Sequence, residues 1–277
     1  MAPAPEPREA GPDDGIDRAS VLDCRSAEEF ARGHLAGSGN LPLAEIEERR
    51  HELPPRDVPV VVVADRVEQA ARAAEVLAGL GYPRVRHLEV SLADVEGGHA
   101  DLAPAITLWR PSGYLASRIA GIPRGLALDL ASGAGRDAVF LALAGFEVEA
   151  WDHAPEALAR AEALAQRHGV RITTRVVDLE KKRVDIPAAR FDLVTVLRFL
   201  HRPLLPTIER AIAPGGHLVY ETFRRGQERF GRPTHPRFLF WPGELESAFP
   251  SLEVLHYEET DPPGGPLLAR LHARRKA

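Results

Sequence analysis

The stretch that constrains this chain most is Leu128-Asp129-Leu130-Ala131-Ser132-Gly133-Ala134-Gly135-Arg136-Asp137-Ala138. Apolar residues up to Leu130 predict a short buried strand, the small residues after it a tight loop, and Asp137 onward a helix that Gly145 stops. Without a Cβ, Gly133 and Gly135 let the loop turn sharply and bring backbone N–H groups toward a ligand, with a helix N-terminus behind them. The spacing Gly133-x-Gly135-x-x-Ala138 suits NAD, FAD and S-adenosylmethionine alike. Asp129 at the strand end separates them: a carboxylate there repels a pyrophosphate but can hold the ammonium group of a methionine moiety.

The chain beyond this loop repeats strand and helix. Residues 146–152 alternate and end on Asp152, about 20 residues past the loop, where a carboxylate can accept from both hydroxyls of a ribose. Pro155 opens a helix that Gly169 stops. A third strand over 170–177 leads to Asp178 and Leu179, whose carboxylate and backbone N–H suit the edge of an adenine. A fourth strand over Phe191–Leu197, a helix over 203–212, a Pro214-Gly215-Gly216 turn and a strand over 217–223 continue the alternation. Such repetition predicts a mostly parallel sheet with ligands at the strand carboxyl ends.

Taken together, Asp129 with its glycine loop, Trp151-Asp152, Asp178-Leu179, Phe191-Asp192-Leu193-Val194 and Pro214-Gly215-Gly216 resemble a class I S-adenosylmethionine-dependent methyltransferase. Gly135-Arg136-Asp137-Ala138 and Ala150-Trp151-Asp152 are most similar to the tellurite-resistance and thiopurine-type branch. The resemblance runs from about residue 121 to residue 254. It implies an α/β, Rossmann-like seven-stranded sheet with a closing antiparallel strand near 266–274, and S-adenosyl-L-methionine as cofactor. Carried over, Asp129, Ala131, Gly133 and Gly135 hold the methionine end, Ala131 standing where the family has its first glycine. Asp152 holds the ribose, His153 flanks the adenine, Asp178 and Leu179 read it, and Leu197 completes the cofactor set.

The earlier half of the chain predicts a smaller α/β unit. Val21-Leu22-Asp23 and Val60–Val63 are strands, and residues 67–81 form an alanine-rich helix with a glycine stop. Asp23-Cys24-Arg25-Ser26, Gly33-His34-Leu35, Asn40-Leu41-Pro42 and Gly81-Tyr82-Pro83 resemble a rhodanese domain over residues 16–98. That resemblance places a nucleophilic cysteine in the loop after Val60–Val63. Here the loop reads Ala64-Asp65-Arg66-Val67-Glu68-Gln69: Ala64 cannot carry sulfur, and Asp65 and Glu68 oppose an anion. Cys24 is the single cysteine, follows a different strand away from that loop, and reads as structural. It leaves no internal disulfide and no cysteine-based zinc site, and no metal site is expected. The unit is expected to dock a protein, oligomerise or present substrate rather than transfer sulfur.

The expected organisation is a disordered leader over 1–15, the rhodanese-like domain over 16–98, a linker and capping helix over 99–120, and the methyltransferase domain over 121–277. With 44% hydrophobic residues and a formal net charge of −5, the chain suits a cytoplasmic protein with no membrane contact and little call on nucleic acid. Methyl transfer from a sulfonium is an in-line displacement, so the site has mainly to align a nucleophile and exclude water. Arg198, His201 and Glu221, just after the fourth and fifth strands, are the catalytic candidates. Arg198, Arg202, Arg229 and Arg237 are the substrate-binding ones, Arg229 just before and Arg237 within a proline-punctuated lid over 230–238 that also carries His235. The expected activity is methyl transfer to a small-molecule acceptor, a thiol or other chalcogen nucleophile. Methylation of a protein or RNA recruited by the first domain, and a non-catalytic module sensing S-adenosylmethionine or its demethylated product, remain open alternatives.

Overall fold

Four short parallel strands carry the beginning of the chain in the computed structural model, which describes residues 19–89, 91 and 105–277. They are β1 (Ser20–Asp23), β2 (Ser38–Asn40), β3 (Val60–Val63) and β4 (Val85–His87), in the order β2-β1-β3-β4. Helix α1 (Ala27–Arg32) starts with a capping box between Ser26 and Glu29, which satisfies two otherwise orphaned backbone donors. Helix α2 (Val67–Gly79) presents Ala70, Ala73, Ala74 and Leu77 to the core formed by Leu22, Leu41, Ile46, Val60 and Val62. Its three alanines let the helix lie close on the sheet. The expected leader and the Gly97-Gly98-His99 boundary lie outside the described residues.

The chain divides into two compact units between Arg110 and Pro111, and helix α3 (Gly113–Arg118) opens the second. Its sheet has seven strands: β5 (Leu126–Leu130), β6 (Glu147–Asp152), β7 (Thr173–Val176), β8 (Phe191–Leu197), β9 (Ile212–Phe223), β10 (Leu252–Thr260) and β11 (Leu268–Arg275). Their order is β10-β11-β9-β8-β5-β6-β7. Strands β5 to β9 pair in parallel, whereas β11 runs antiparallel to both β9 and β10. The expected closing strand is β11. The helix expected over 203–212 is a 3-10 turn at Arg202–Leu204 followed by α6 (Leu205–Ala211).

Both faces of this sheet are buried, as parallel strands require. Leu128, Leu130, Val194 and Val196 enter one core and Ala127, Leu193 and Leu197 the other, following the two-residue period of a strand. Helices α4 (Arg136–Leu143) and α5 (Pro155–Arg167) connect β5, β6 and β7, while α7 (Glu244–Ser247) precedes β10. From β5 the chain winds outward to β7, then returns to β8 on the other side of β5. That reversal opens a crevice beyond the carboxyl ends of β5 and β8, the place where such sheets bind ligands.

Candidate functional site

Asp129 stands at the crevice, one residue before the end of β5, with only 2% of its surface exposed. Its Oδ1 accepts a 2.8 Å hydrogen bond from Thr195 Oγ1, its cross-strand neighbour on β8. Its Oδ2 is buried with no hydrogen-bond partner. Burial, and then the nearby Asp137 carboxylate, hold Asp129 well above the usual carboxylate range. Asp137, in the first turn of α4, is itself raised by burial and accepts a 2.6 Å hydrogen bond from the Ser112 N–H. A buried carboxylate oxygen without a donor carries a desolvation cost that an ammonium group beside it would remove.

The loop after β5 is built on left-handed backbone at Ala131, Gly133 and Gly135, with φ of 58°, 54° and 78°. Gly135 is required twice over, because a Cβ there would lie 2.4 Å from Ala161 Cβ on α5. Ala131 adopts the same backbone region with a side chain, at a cost of about 1 kcal/mol. The loop N–H groups are not free as the sequence suggests. Ser132 N–H donates to Trp151 O, Gly135 N–H to Ser132 O, and Gly133 N–H to Asp152 Oδ2 at 2.9 Å. The loop is thereby locked to the tip of β6, and its unpartnered buried atom is instead Ser132 Oγ.

Asp152 receives Gly133 N–H on one oxygen and Ala154 N–H at 3.0 Å on the other, with His153 Nδ1 3.2 Å away. These bonds fix the carboxylate at the mouth of a cavity of about 580 Å³ lined by Ala131, Asp152, His153, Val177, Asp178, Leu179, Glu180 and Phe199. Five sequence candidates, Ala131, Asp152, His153, Asp178 and Leu179, therefore meet around one space. Asp129, Gly133 and Gly135 lie in the strand and loop behind it. Leu197 points into the core with Leu193 and Val219 and does not line this cavity.

A second cavity, about 590 Å³, shares Phe199 with the first. Arg198, Leu200, Phe223, Arg232, Pro233, Thr234, His235 and Phe238 form the rest of its wall. Arg198 has φ of 61°, its N–H donates 2.7 Å to Glu221 O, and its guanidinium lies 4.8 Å from the centre of the Phe223 ring. Holding a non-glycine residue in that region costs of order 1–3 kcal/mol and is a feature of ligand clamps. His235 accepts Arg237 N–H on Nδ1 at 3.2 Å.

The remaining acceptor-side candidates are placed elsewhere. Arg202 makes a two-pronged ion pair with Glu244 and donates to Arg237 O and Leu239 O, so it braces the lid from beneath. Glu221 is buried between Arg270 at 2.7 Å and Arg198 at 3.3 Å. It thus positions Arg198 rather than facing the cavity. Arg229 donates to Gly226 O, Arg237 pairs with Glu180, and His201 turns into a separate groove. Phe199 and Phe223 line the cavity from the stretches after β8 and β9 expected to form an acceptor pocket, and Arg232 joins them from the lid segment without having been singled out from sequence. A run of aromatic and cationic residues after strands β8 and β9 was the available signal.

Ala64, in the position of the expected nucleophile, is buried. Asp65 pairs with Arg25 at 3.1 Å, and Arg25 is also taken by both oxygens of Asp23 and by Gly33 O. Cys24 lies closer to the loop than the sequence suggests, its Sγ 3.9 Å from Gln69 O in the first turn of α2. It is fully buried, and that burial pushes its thiol up to about 12, so it is protonated and inert at neutral pH. Among the described residues no cluster suits a metal ion, and no helix is long and apolar enough to cross a membrane.

Residues 114–262 match the family described as tellurite resistance protein TehB, and residues 9–97 match the rhodanese-like domain. The chain is 26% identical over 140 residues to a Haemophilus influenzae protein named probable S-adenosyl-L-methionine-dependent methyltransferase TehB, covering 48% of this chain and 47% of that one. It is 29% identical over 153 residues to Hemagglutinin 1 of Eikenella corrodens, covering 50% of each. The chain thus spans about half the length of the curated relatives it matches. The crystal structure of TehB from Haemophilus influenzae shares the fold, with a TM-score of 0.51 and 21% identity over 59% of this chain and 62% of that one.

Proposed function

The chain belongs to the TehB family, and from that membership we propose that it transfers the methyl group of S-adenosyl-L-methionine to a small anionic acceptor, a thiolate or other chalcogen nucleophile. The observation that carries the reading is the pair of cavities meeting at Phe199, one rimmed by carboxylates and the other by guanidinium groups.

The residues present fit the cofactor. Asp129 Oδ2 and Ser132 Oγ are buried polar atoms awaiting partners, and Asp129 suits the ammonium group. Asp152 would hold the ribose, and Asp178, Leu179 and His153, which line the same cavity, would hold the adenine. When bound, the cofactor supplies a sulfonium-activated methyl group. Everything else falls to the protein's own side chains. Phe199, Leu200, Phe223 and Phe238 exclude water, and Arg198 and Arg232 hold and orient an anion.

The acceptor class follows from what the second cavity lacks. Its one titratable base is His235, whose Nδ1 is already engaged by a backbone N–H. An acceptor that must lose a proton during attack is poorly served there, whereas one already anionic at neutral pH needs only positioning. The first unit takes no part in the chemistry, since Ala64 and the buried Cys24 offer no thiolate.

The reading is tested by incubating the full chain with methyl-labelled cofactor and thiols, selenide, alcohols or amines. Label is expected in the thiol or selenide products, with Arg232→Ala raising KM about tenfold at little cost to kcat. Transfer to protein or RNA alone, or cofactor binding without transfer to any acceptor, would overturn it.

A further inference from the structure

Beside these two cavities lies a third space, about 360 Å³, whose charge the methyl-transfer reading does not use. Its wall includes Lys181, Lys182, Arg183 and Arg210, with His201 and a single carboxylate, Asp185. The segment after β7 supplies the first three cations and helix α6 supplies Arg210. Among the described residues none of these four makes an ion pair; Arg210 donates only to Thr207 Oγ1 at 3.0 Å.

Arg190, Arg202, Arg224, Arg237, Arg270 and Arg274 each meet a carboxylate within 3.5 Å. The chain as a whole is acidic, with a formal net charge of −5, yet four cations without an ion pair converge on this one concavity. Glu180, the nearest acid in sequence to Lys181, turns instead to Arg237 and the cofactor cavity. Like charges converging in a cleft repel one another and focus a positive potential that only an anion relieves.

We propose that this groove binds a phosphate group of a small ligand, as a phosphate monoester or a pyrophosphate. Arg183 and Arg210 offer forked donors that match phosphate oxygens, and the two lysines add mobile ammonium groups. No Phe, Tyr or Trp side chain lines the groove, so it lacks the broad stacking platform by which single-stranded nucleic acid is held. The groove adjoins both reaction cavities through the chain itself: Glu180 lines the first and Lys181 the groove, Leu200 lines the second and His201 the groove. A phosphorylated ligand seated there touches the two loops that frame methyl transfer.

The test is calorimetric titration of the full chain with inorganic phosphate, pyrophosphate, glycerol 2-phosphate and a single-stranded oligonucleotide, each at low and high KCl. Saturable binding of pyrophosphate or the monoester is expected, weakening with salt and falling at least about tenfold in Arg183→Ala and Arg210→Ala. Binding of the monoester would assign the site to a phosphorylated metabolite and binding of pyrophosphate to a diphosphate group; inorganic phosphate binding alone, with neither of these, would overturn the proposal. Both substitutions lie on the surface, and unchanged S-adenosylmethionine binding in each variant reports an intact fold. Absence of binding by all three phosphates, binding that both variants retain in full, or an oligonucleotide that binds more tightly than any of them would overturn the proposal.

Discussion

Asp23 and Asp129 occupy like positions in the two units: each lies at or next to the carboxyl end of an inner parallel strand, and each is buried, at 0% and 2% exposure. Their surroundings are opposite. Asp23 is gripped by the Arg25 side chain through both oxygens and receives the Arg25 N–H as well. Asp129 has the Thr195 hydroxyl as its hydrogen-bond donor, a weaker backbone interaction from Ala138 N–H, and an Oδ2 left without a hydrogen-bonded partner. A carboxylate whose partners are all intramolecular is a structural element, whereas one left short of a donor is a place for a ligand. The second unit carries its unsatisfied groups at the sheet's switch point; the first closes its strand ends with Arg25, which pairs with Asp23 at the end of β1 and Asp65 after β3.

The largest effect that sharpens this contrast is expected at Arg25. Replacing it in Arg25→Met strands Asp23 in the core and should cost about 3–5 kcal/mol in urea unfolding, while leaving S-adenosylmethionine affinity unchanged in the folded fraction. Asp129→Asn should do the reverse, preserving or raising stability and weakening the cofactor about tenfold. The pH response carries a sign. Asp129 binds its proton more tightly folded than at its ordinary 3.8, so its contribution to stability is present below that value and is lost as pH rises through the raised one. An ammonium partner favours the ionised carboxylate, so cofactor affinity should climb as pH rises toward that raised value, level off above it, and lose this dependence in Asp129→Asn. A smaller effect is expected from Ala131→Gly, which relieves a left-handed backbone and should add roughly 0.5–1 kcal/mol, less the entropy glycine brings to the unfolded chain. The smallest is expected from Ala64→Cys, which should give no sulfur transfer from thiosulfate. Activity in that variant would break the contrast.

Those parts of the fold that depend on near neighbours were legible in the sequence. The β-branched run Val60–Val63, the glycine loop and the apolar stretch Phe191–Leu197 each announce themselves locally, and the cofactor-side residues follow because strand ends deliver them to one edge. The acceptor side was less legible, because its polar groups are sorted by partners far along the chain. Arg202 belongs to Glu244 and Glu221 to Arg270, and no local pattern reveals either pair. Leu200 and His201 differ by one residue yet line different spaces, a division that only the backbone's course decides. Asp137 was equally hidden: its role beside Asp129 depends on α4 packing back over β5.

The most direct test of the cofactor site is calorimetric titration of the full chain with S-adenosylmethionine, alongside Asp129→Asn and Asp152→Ala with their unfolding transitions recorded. Saturable binding by the native chain is expected, and both variants should weaken it about tenfold or more while remaining folded. No binding by the native chain, or equal binding by all three proteins, would contradict that expectation.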